Sequence, residues 1–152
     1  MAASLANYNV FVTGGGSGIG LACAKALAAD GANVTIMGRT RTRLEAAAAE
    51  LRVLAPEVSI NIFVGDVGVE ADVAAAVAVA ALDGKLDIAV ANAGVGGLGP
   101  IMVTEADNWQ TIMQTNLTGT FYTIKHAARA MARSGGGAIC GISSIAGVRT
   151  HR

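Results

Sequence analysis

The feature that most constrains this chain is an alternation of short apolar runs with alanine-rich runs of helical length. Asn9 to Thr13, Asn33 to Met37, Ser59 to Val64, Leu86 to Ala91 and Ala138 to Ser143 read as strands. Ile19 to Ala29, Thr40 to Leu54, Ala71 to Leu82 and a long stretch from about Glu105 to Arg133 read as helices. In the second of these, Leu44, Ala47, Ala48 and Leu51 recur on one face. Strands joined through helices make βαβ units and hence a parallel sheet. The strands are near-continuous Val, Ile, Leu and Ala rather than alternating, as a sheet covered on both faces requires. The expected fold is therefore α/β, a doubly wound parallel sheet with helices on both faces and right-handed crossovers.

Composition narrows the class. The 152 residues suffice for one domain with a sizeable core, and 53% of them are hydrophobic against 14% charged, too apolar for a disordered chain. Eleven basic residues balance eleven acidic ones without a basic stripe, so nothing argues for a nucleic-acid partner. The longest apolar run, Val73 to Leu82, is too short to span a bilayer, and the first residues lack a signal peptide's pattern. Cys23 and Cys140 are isolated in apolar settings and read as reduced, buried thiols of a cytoplasmic protein. No metal-ligand spacing is present, so no metal site is expected.

The first strand runs directly into Thr13-Gly14-Gly15-Gly16-Ser17-Gly18-Ile19-Gly20, where the first helix begins. Such a turn lets backbone N–H groups and a helix N-terminus approach a pyrophosphate, and glycine is needed where a Cβ would block the ligand or the packing. A turn of this kind also occurs without any ligand. The second strand ends at Met37-Gly38-Arg39, where dinucleotide folds place an acid for the adenosine ribose 2′-hydroxyl. Arg39 in that place can pair with a 2′-phosphate, so NADP(H) is preferred over NAD(H), with NAD(H) retained as possible. The alternative is that Arg39, Arg41 and Arg43 are solvated residues near a helix start.

Further signals fall at strand ends, where open α/β sheets bind ligands. Asp66, after the third strand, could accept a bond from an adenine amino group or cap its own turn. Asn92-Ala93-Gly94 closes the fourth strand and could line the adenosine ribose or simply turn the chain. Asn116 lies inside the long helix, and Ser143-Ser144-Ile145-Ala146-Gly147 closes the fifth strand.

This ordered set, T-G-x-x-x-G-x-G, Asp66, N-A-G, Asn116 and S-S-x-A-G, resembles the short-chain dehydrogenase/reductase family along essentially the whole chain. The resemblance implies a Rossmann-type fold and hydride transfer between a nicotinamide dinucleotide and a small alcohol or carbonyl substrate. It implies that Gly14, Ser17, Gly18, Ile19 and Gly20 approach the cofactor's phosphates and nicotinamide. Asp66 and Val67 would hold the adenine, while Asn92, Ala93 and Gly94 would support the adenosine ribose. It implies that Ser144, rather than Ser143, bonds the substrate oxygen, and that Asn116 holds a water of the proton relay and kinks its helix.

The family's Tyr-x-x-x-Lys pair should begin about a dozen residues beyond Ser144, past Arg152. Tyr122 and Lys125 do not replace it: they are three apart and precede the serine motif. The expectation is a single dinucleotide-binding domain over residues 1–152, truncated after the fifth strand and inactive or nearly so by itself. Its fifth strand would be an exposed edge, and the long helix would keep an uncovered apolar face. A homo-oligomer or association with a longer relative is expected for that reason. Phe121 and Tyr122 are expected in the core, with Lys125 a solvated neighbour. A non-catalytic dinucleotide-binding or oligomerisation module is the alternative.

Overall fold

A computed structural model describes residues 4–97, 99–147 and 149. Five parallel strands are ordered β3-β2-β1-β4-β5: β1 Asn9–Thr13, β2 Asn33–Gly38, β3 Ile60–Val64, β4 Ile88–Ala91 and β5 Ala138–Gly141. The connecting helices are α1 Gly18–Ala29, α2 Arg41–Leu54, α3 Glu70–Ala80, α4 Ala106–Met113 and α5 Gly119–Arg133.

The two faces of the sheet follow from side-chain alternation along β1 and β2. Val10, Val12, Val34 and Ile36 point to one side and pack with Ala24, Ala28, Leu44, Ala47, Ala48 and Leu51 of α1 and α2. Phe11 and Met37 point to the other and pack with Val73, Ala76, Val77 and Ala80 of α3 and with Ala127, Ala130 and Met131 of α5. Alanine at these contacts lets each helix lie close to the strands. Both faces of the central strands are thus covered, as their apolar sequences required.

Strand order reverses between β1 and β4. The chain leaves β1 toward β2 and β3, then returns to lay β4 on β1's other side. That switch point opens a crevice at the carboxyl ends of the two strands, and every motif from the sequence falls around it.

Four local expectations change. The long helix is not uniform: Gln114–Thr118, between α4 and α5, is a π-helical turn. Cys140 is exposed rather than buried, because β5 lies at the sheet edge with all four of its residues exposed; Cys23 is half-buried. Phe121 is 56% exposed, so of the aromatic pair only Tyr122 packs against the core. Lys125 is no solvated bystander, since its Nζ donates to Glu70 Oε1 at 2.6 Å.

Candidate functional site

The floor of the crevice is tied together by one buried hydroxyl. Thr13, 1% exposed at the end of β1, accepts bonds at Oγ1 from the backbone N–H groups of Asn92 (3.0 Å) and Ala93 (3.1 Å). The same hydroxyl donates to the Val90 carbonyl at 3.3 Å. Asn92 reaches back, its Nδ2 donating to the Thr13 carbonyl at 2.9 Å and lying 3.4 Å from that of Gly14. The Nδ2 of Asn92 thus joins β4 to the glycine turn. Thr13 is a residue that the sequence reading left out of the site. Its signal was a hydroxyl closing the apolar run Val10-Phe11-Val12, where a buried polar group must find partners.

The glycine turn is shaped by close approach. Gly14 has φ +66°, and its N–H donates to the Met37 carbonyl at 2.8 Å, which docks the turn on β2. A Cβ at Gly14 would stand 2.8 Å from Asn92 Nδ2, and one at Gly20 would overlap the Gly14 carbonyl and the Asn92 amide. Gly20 thus brings α1 against the strand ends. Gly18 has φ +55°, and a Cβ there would meet nothing within 4 Å, leaving the start of α1 open.

Gly14, Ser17, Ile19, Arg39, Asp66, Val67, Asn92, Ala93 and Gly94 line one crevice of about 310 Å³, joined by Gly38, Gly65, Val95 and Thr115. Gly18 and Gly20 are not in its wall; Gly20 is buried beneath it. Asp66 does two things. Its Oδ1 accepts from the Gly68 N–H at 2.8 Å, closing its own turn, and its Oδ2 stands 4.0 Å from Arg39 Nη1. The Val67 side chain is 6% exposed and packs on Gly119, where any Cβ would lie 2.7 Å from Val67 Cγ2.

A second cavity of about 470 Å³ contains Asn116, Ser143 and Ser144 together with Thr120 and Ile142. It shares Ile19, Asn92, Ala93, Gly94 and Val95 with the first, so the two form one continuous groove. Ser144 Oγ accepts from the Ala146 N–H at 3.2 Å within its turn. Asn116 clamps the facing loop: its Oδ1 accepts from the Val95 N–H at 2.8 Å, and its Nδ2 donates to the Val95 carbonyl at 2.9 Å. Its side chain is thereby occupied, and its own carbonyl accepts the Thr120 hydroxyl at 2.7 Å. Two residues earlier, Gln114 Nε2 donates to the Gly68 carbonyl at 2.5 Å. One π-helical turn thus holds both walls, and bulges of this kind often mark functional sites.

Behind the groove, Glu70 at the start of α3 accepts from Lys125 Nζ (2.6 Å) and contacts His126 Nε2 (3.0 Å) on α5. The Lys125 hydrogen bond, then that of His126, holds the Glu70 carboxyl below its ordinary 4.5. Lys125 lines neither cavity.

The family model for short chain dehydrogenases matches residues 8–151. This chain belongs to the short-chain dehydrogenase family. Galactitol 2-dehydrogenase (L-tagatose-forming) of Cereibacter sphaeroides is 35% identical over 141 residues, covering 93% of this chain and 54% of that enzyme. NAD+-bound xylitol dehydrogenase superposes with a TM-score of 0.91 at 32% identity, over 97% of this chain and 57% of that one. L-Sorbose reductase of Gluconobacter frateurii, complexed with NADPH and L-sorbose, superposes with a TM-score of 0.89 at 31% identity, over 97% of this chain and 56% of that one. The chain spans about half the length of the curated relatives it matches. Members of the family bind nicotinamide dinucleotides, and these relatives include one complex with each form of the cofactor. Among the described residues, no helix is long and apolar enough to cross a membrane, and no group of His, Cys, Asp and Glu could hold a metal.

Proposed function

We propose that this chain is the dinucleotide-binding portion of an NADP(H)-preferring reductase or dehydrogenase acting on a small alcohol or carbonyl compound, in a cytoplasmic setting. The observation that carries the reading is the end of β2. Gly38 stands where an acid would select NAD(H), and Arg39 beside it lines the crevice. The groove suits such a ligand: its floor is glycine backbone packed too closely for a Cβ at Gly14, and the junction at Gly18 is open. Gly14, Ser17, Gly18 and Ile19 would take the pyrophosphate and nicotinamide, with Gly20 holding α1 in place. Asp66 and Val67 would border the adenine, and Ala93 and Gly94 the adenosine ribose, with Asn92 fixing their position.

When bound, the cofactor supplies or accepts the hydride. Ser144 donates a hydrogen bond to the substrate oxygen and orients it. Asn116 keeps the Gly94–Val95 wall in place. No tyrosine in residues 1–152 is followed four positions later by a lysine. Absence of a positioned general acid typically costs on the order of 10²–10⁴ in rate. The 152-residue chain is therefore expected to bind cofactor with little or no turnover.

Calorimetric titration with NADPH and NADH tests this. Binding of NADPH several-fold tighter than NADH is expected; a chain that binds neither contradicts the reading. A second role is favoured by a specific observation: Leu117, Phe121 and Ile124 are 60%, 56% and 41% exposed, one apolar stripe along α5 and the turn before it. That stripe supports self-association or pairing with a longer relative.

A further inference from the structure

Asp66 is aimed by a chain of bonds that begins on the helical side of the crevice. Its backbone N–H donates to Asp72 Oδ2 at 2.9 Å, which fixes where the residue sits. Its Oδ1 accepts from the Gly68 N–H at 2.8 Å, which fixes how the carboxylate is turned. Gly68 is held in its turn by its carbonyl, which accepts from Gln114 Nε2 at 2.5 Å, 46 residues away in the chain. The fit around Gly68 is close: a Cβ there would stand 2.9 Å from Gln114 Cγ and 3.3 Å from Asp66 Oδ1. One glycine thus joins two side chains, its N–H bonded to Asp66 and its carbonyl to Gln114. Asp66 Oδ2 makes no hydrogen bond among the described residues, and Arg39 Nη1 stands 4.0 Å from it in the same crevice wall. Gly68 and Gln114 do not line the crevice. They line an adjoining cavity of about 460 Å³ that shares Arg39, Asp66 and Thr115 with it.

An ionised carboxylate only accepts hydrogen bonds, and the 6-amino group of adenine donates them. In hypoxanthine an oxo group takes that place, so two acceptors would meet. An Asp carboxylate turns broadly about its last bond unless one of its oxygens is held. A carboxylate free to turn can swing its oxygens to suit either base; one held in place cannot. We infer that Gln114 is a positioning residue for selection of the base. Through Gly68 it sets the rotation of the Asp66 carboxylate, so that Oδ2 accepts from an adenine amino group and is opposed to a hypoxanthine oxygen. Gln114 does this without touching the ligand. The inference rests on the crevice being a dinucleotide site with adenine beside Asp66, and it adds the residue on which the choice of base depends.

The test titrates the 152-residue chain with NADP+ and NAD+, each against the form in which hypoxanthine replaces adenine. It compares the unaltered chain with Gln114→Met, Gln114→Lys and Gln110→Ala. The unaltered chain is expected to bind the adenine form about tenfold tighter than the hypoxanthine form. Gln114→Met keeps the length of the side chain and removes its donor, and should bring that ratio within about twofold. Gln114→Lys restores a donor to the Gly68 carbonyl and should recover part of the ratio. Gln110→Ala, one turn earlier on α4 and in the wall of the same adjoining cavity, should leave the ratio unchanged. Should Gln114→Met not fold, Gly68→Ala decides by the same ratio, since its Cβ would stand 2.9 Å from Gln114 Cγ. A Gln114→Met loss that falls equally on both bases belongs to a merely structural residue and overturns the inference. So does a ratio that Gln114→Met leaves intact. An unaltered chain that binds the two bases equally overturns the base selection alone. One that binds none of the four dinucleotides overturns the dinucleotide reading as well.

Discussion

Replacing Thr13 with valine tests whether the crevice is held by a single hydroxyl. Valine keeps the volume and branching, so the apolar packing at this 1%-exposed position is unchanged. What disappears is one oxygen with three bonds: the acceptor for the Asn92 and Ala93 N–H groups and the donor to the Val90 carbonyl. A buried polar group left without a partner costs roughly 1–3 kcal/mol. Asn92 and Ala93 are only partly buried, which places each orphaned N–H toward the lower end, so the sum is about 2–4 kcal/mol. Thr13→Ser is the control. It keeps the oxygen and removes one methyl, at a cost of about 1 kcal/mol. Urea denaturation should rank the unaltered chain above Thr13→Ser and both above Thr13→Val. NADPH titration should show weaker binding in Thr13→Val, because the Asn92–Gly94 wall loses its anchor. Stability of Thr13→Val within about 0.5 kcal/mol of the unaltered chain, or equal to that of Thr13→Ser, would refute the argument.

Other perturbations probe other parts of the site. Gly20→Ala should destabilise by about 1–3 kcal/mol in urea, because its Cβ overlaps the Gly14 carbonyl and neither backbone can yield; an unchanged midpoint contradicts this. Arg39→Asp places a carboxylate at the end of β2 and should turn the preference from NADPH toward NADH in competitive titration; an unaltered ratio counts against the assignment of Arg39. Glu70 has its carboxyl lowered below 4.5 by Lys125 and His126, so its contribution to stability is full above that value and is lost as pH falls through the lower folded value. Glu70→Gln should therefore be less stable than the unaltered chain near neutrality, with the gap closing in acid below 4.5; a gap that does not change with pH excludes the linkage. Phe121→Glu should reduce self-association in sedimentation experiments, and an unchanged distribution removes the exposed stripe on α5 as its cause.

The strand and helix order was legible because Val, Ile and Ala carry both the period and the two-sided burial of a covered parallel sheet. The crevice was legible because its motifs sit at strand ends, which parallel topology gathers on one edge. What sequence could not supply depends on contacts between distant residues. The π turn is stabilised where Asn116 bonds Val95, 21 residues earlier, and no local propensity encodes that pairing. Which of Arg39, Arg41 and Arg43 lines the crevice depends on where α2 begins and how it lies against the glycine turn. Phe121 and Cys140 look like core residues by type, but each lies on a surface that none of the described residues covers.

The bonds around the groove point to one principle of construction. Asn92, Asp66, Asn116 and Gln114 are polar side chains at its border, yet each spends a polar atom on backbone: Thr13 and Gly14, Gly68, Val95, and Gly68 again. Thr13 does the same from below. Five side chains thus fix loops that would otherwise have to be ordered when a ligand binds. Ordering backbone costs about 1–2 kcal/mol per residue, so fixing even two or three loop residues beforehand removes several kcal/mol from the cost of binding. On the proposed dinucleotide reading, the groups left to meet the ligand would include backbone amides of the glycine turn, Arg39 after β2 and the serines after β5. Motif residues on this edge divide into those that build the site and those that touch what fills it. The Asn116 side chain and the Nδ2 of Asn92 belong to the first kind.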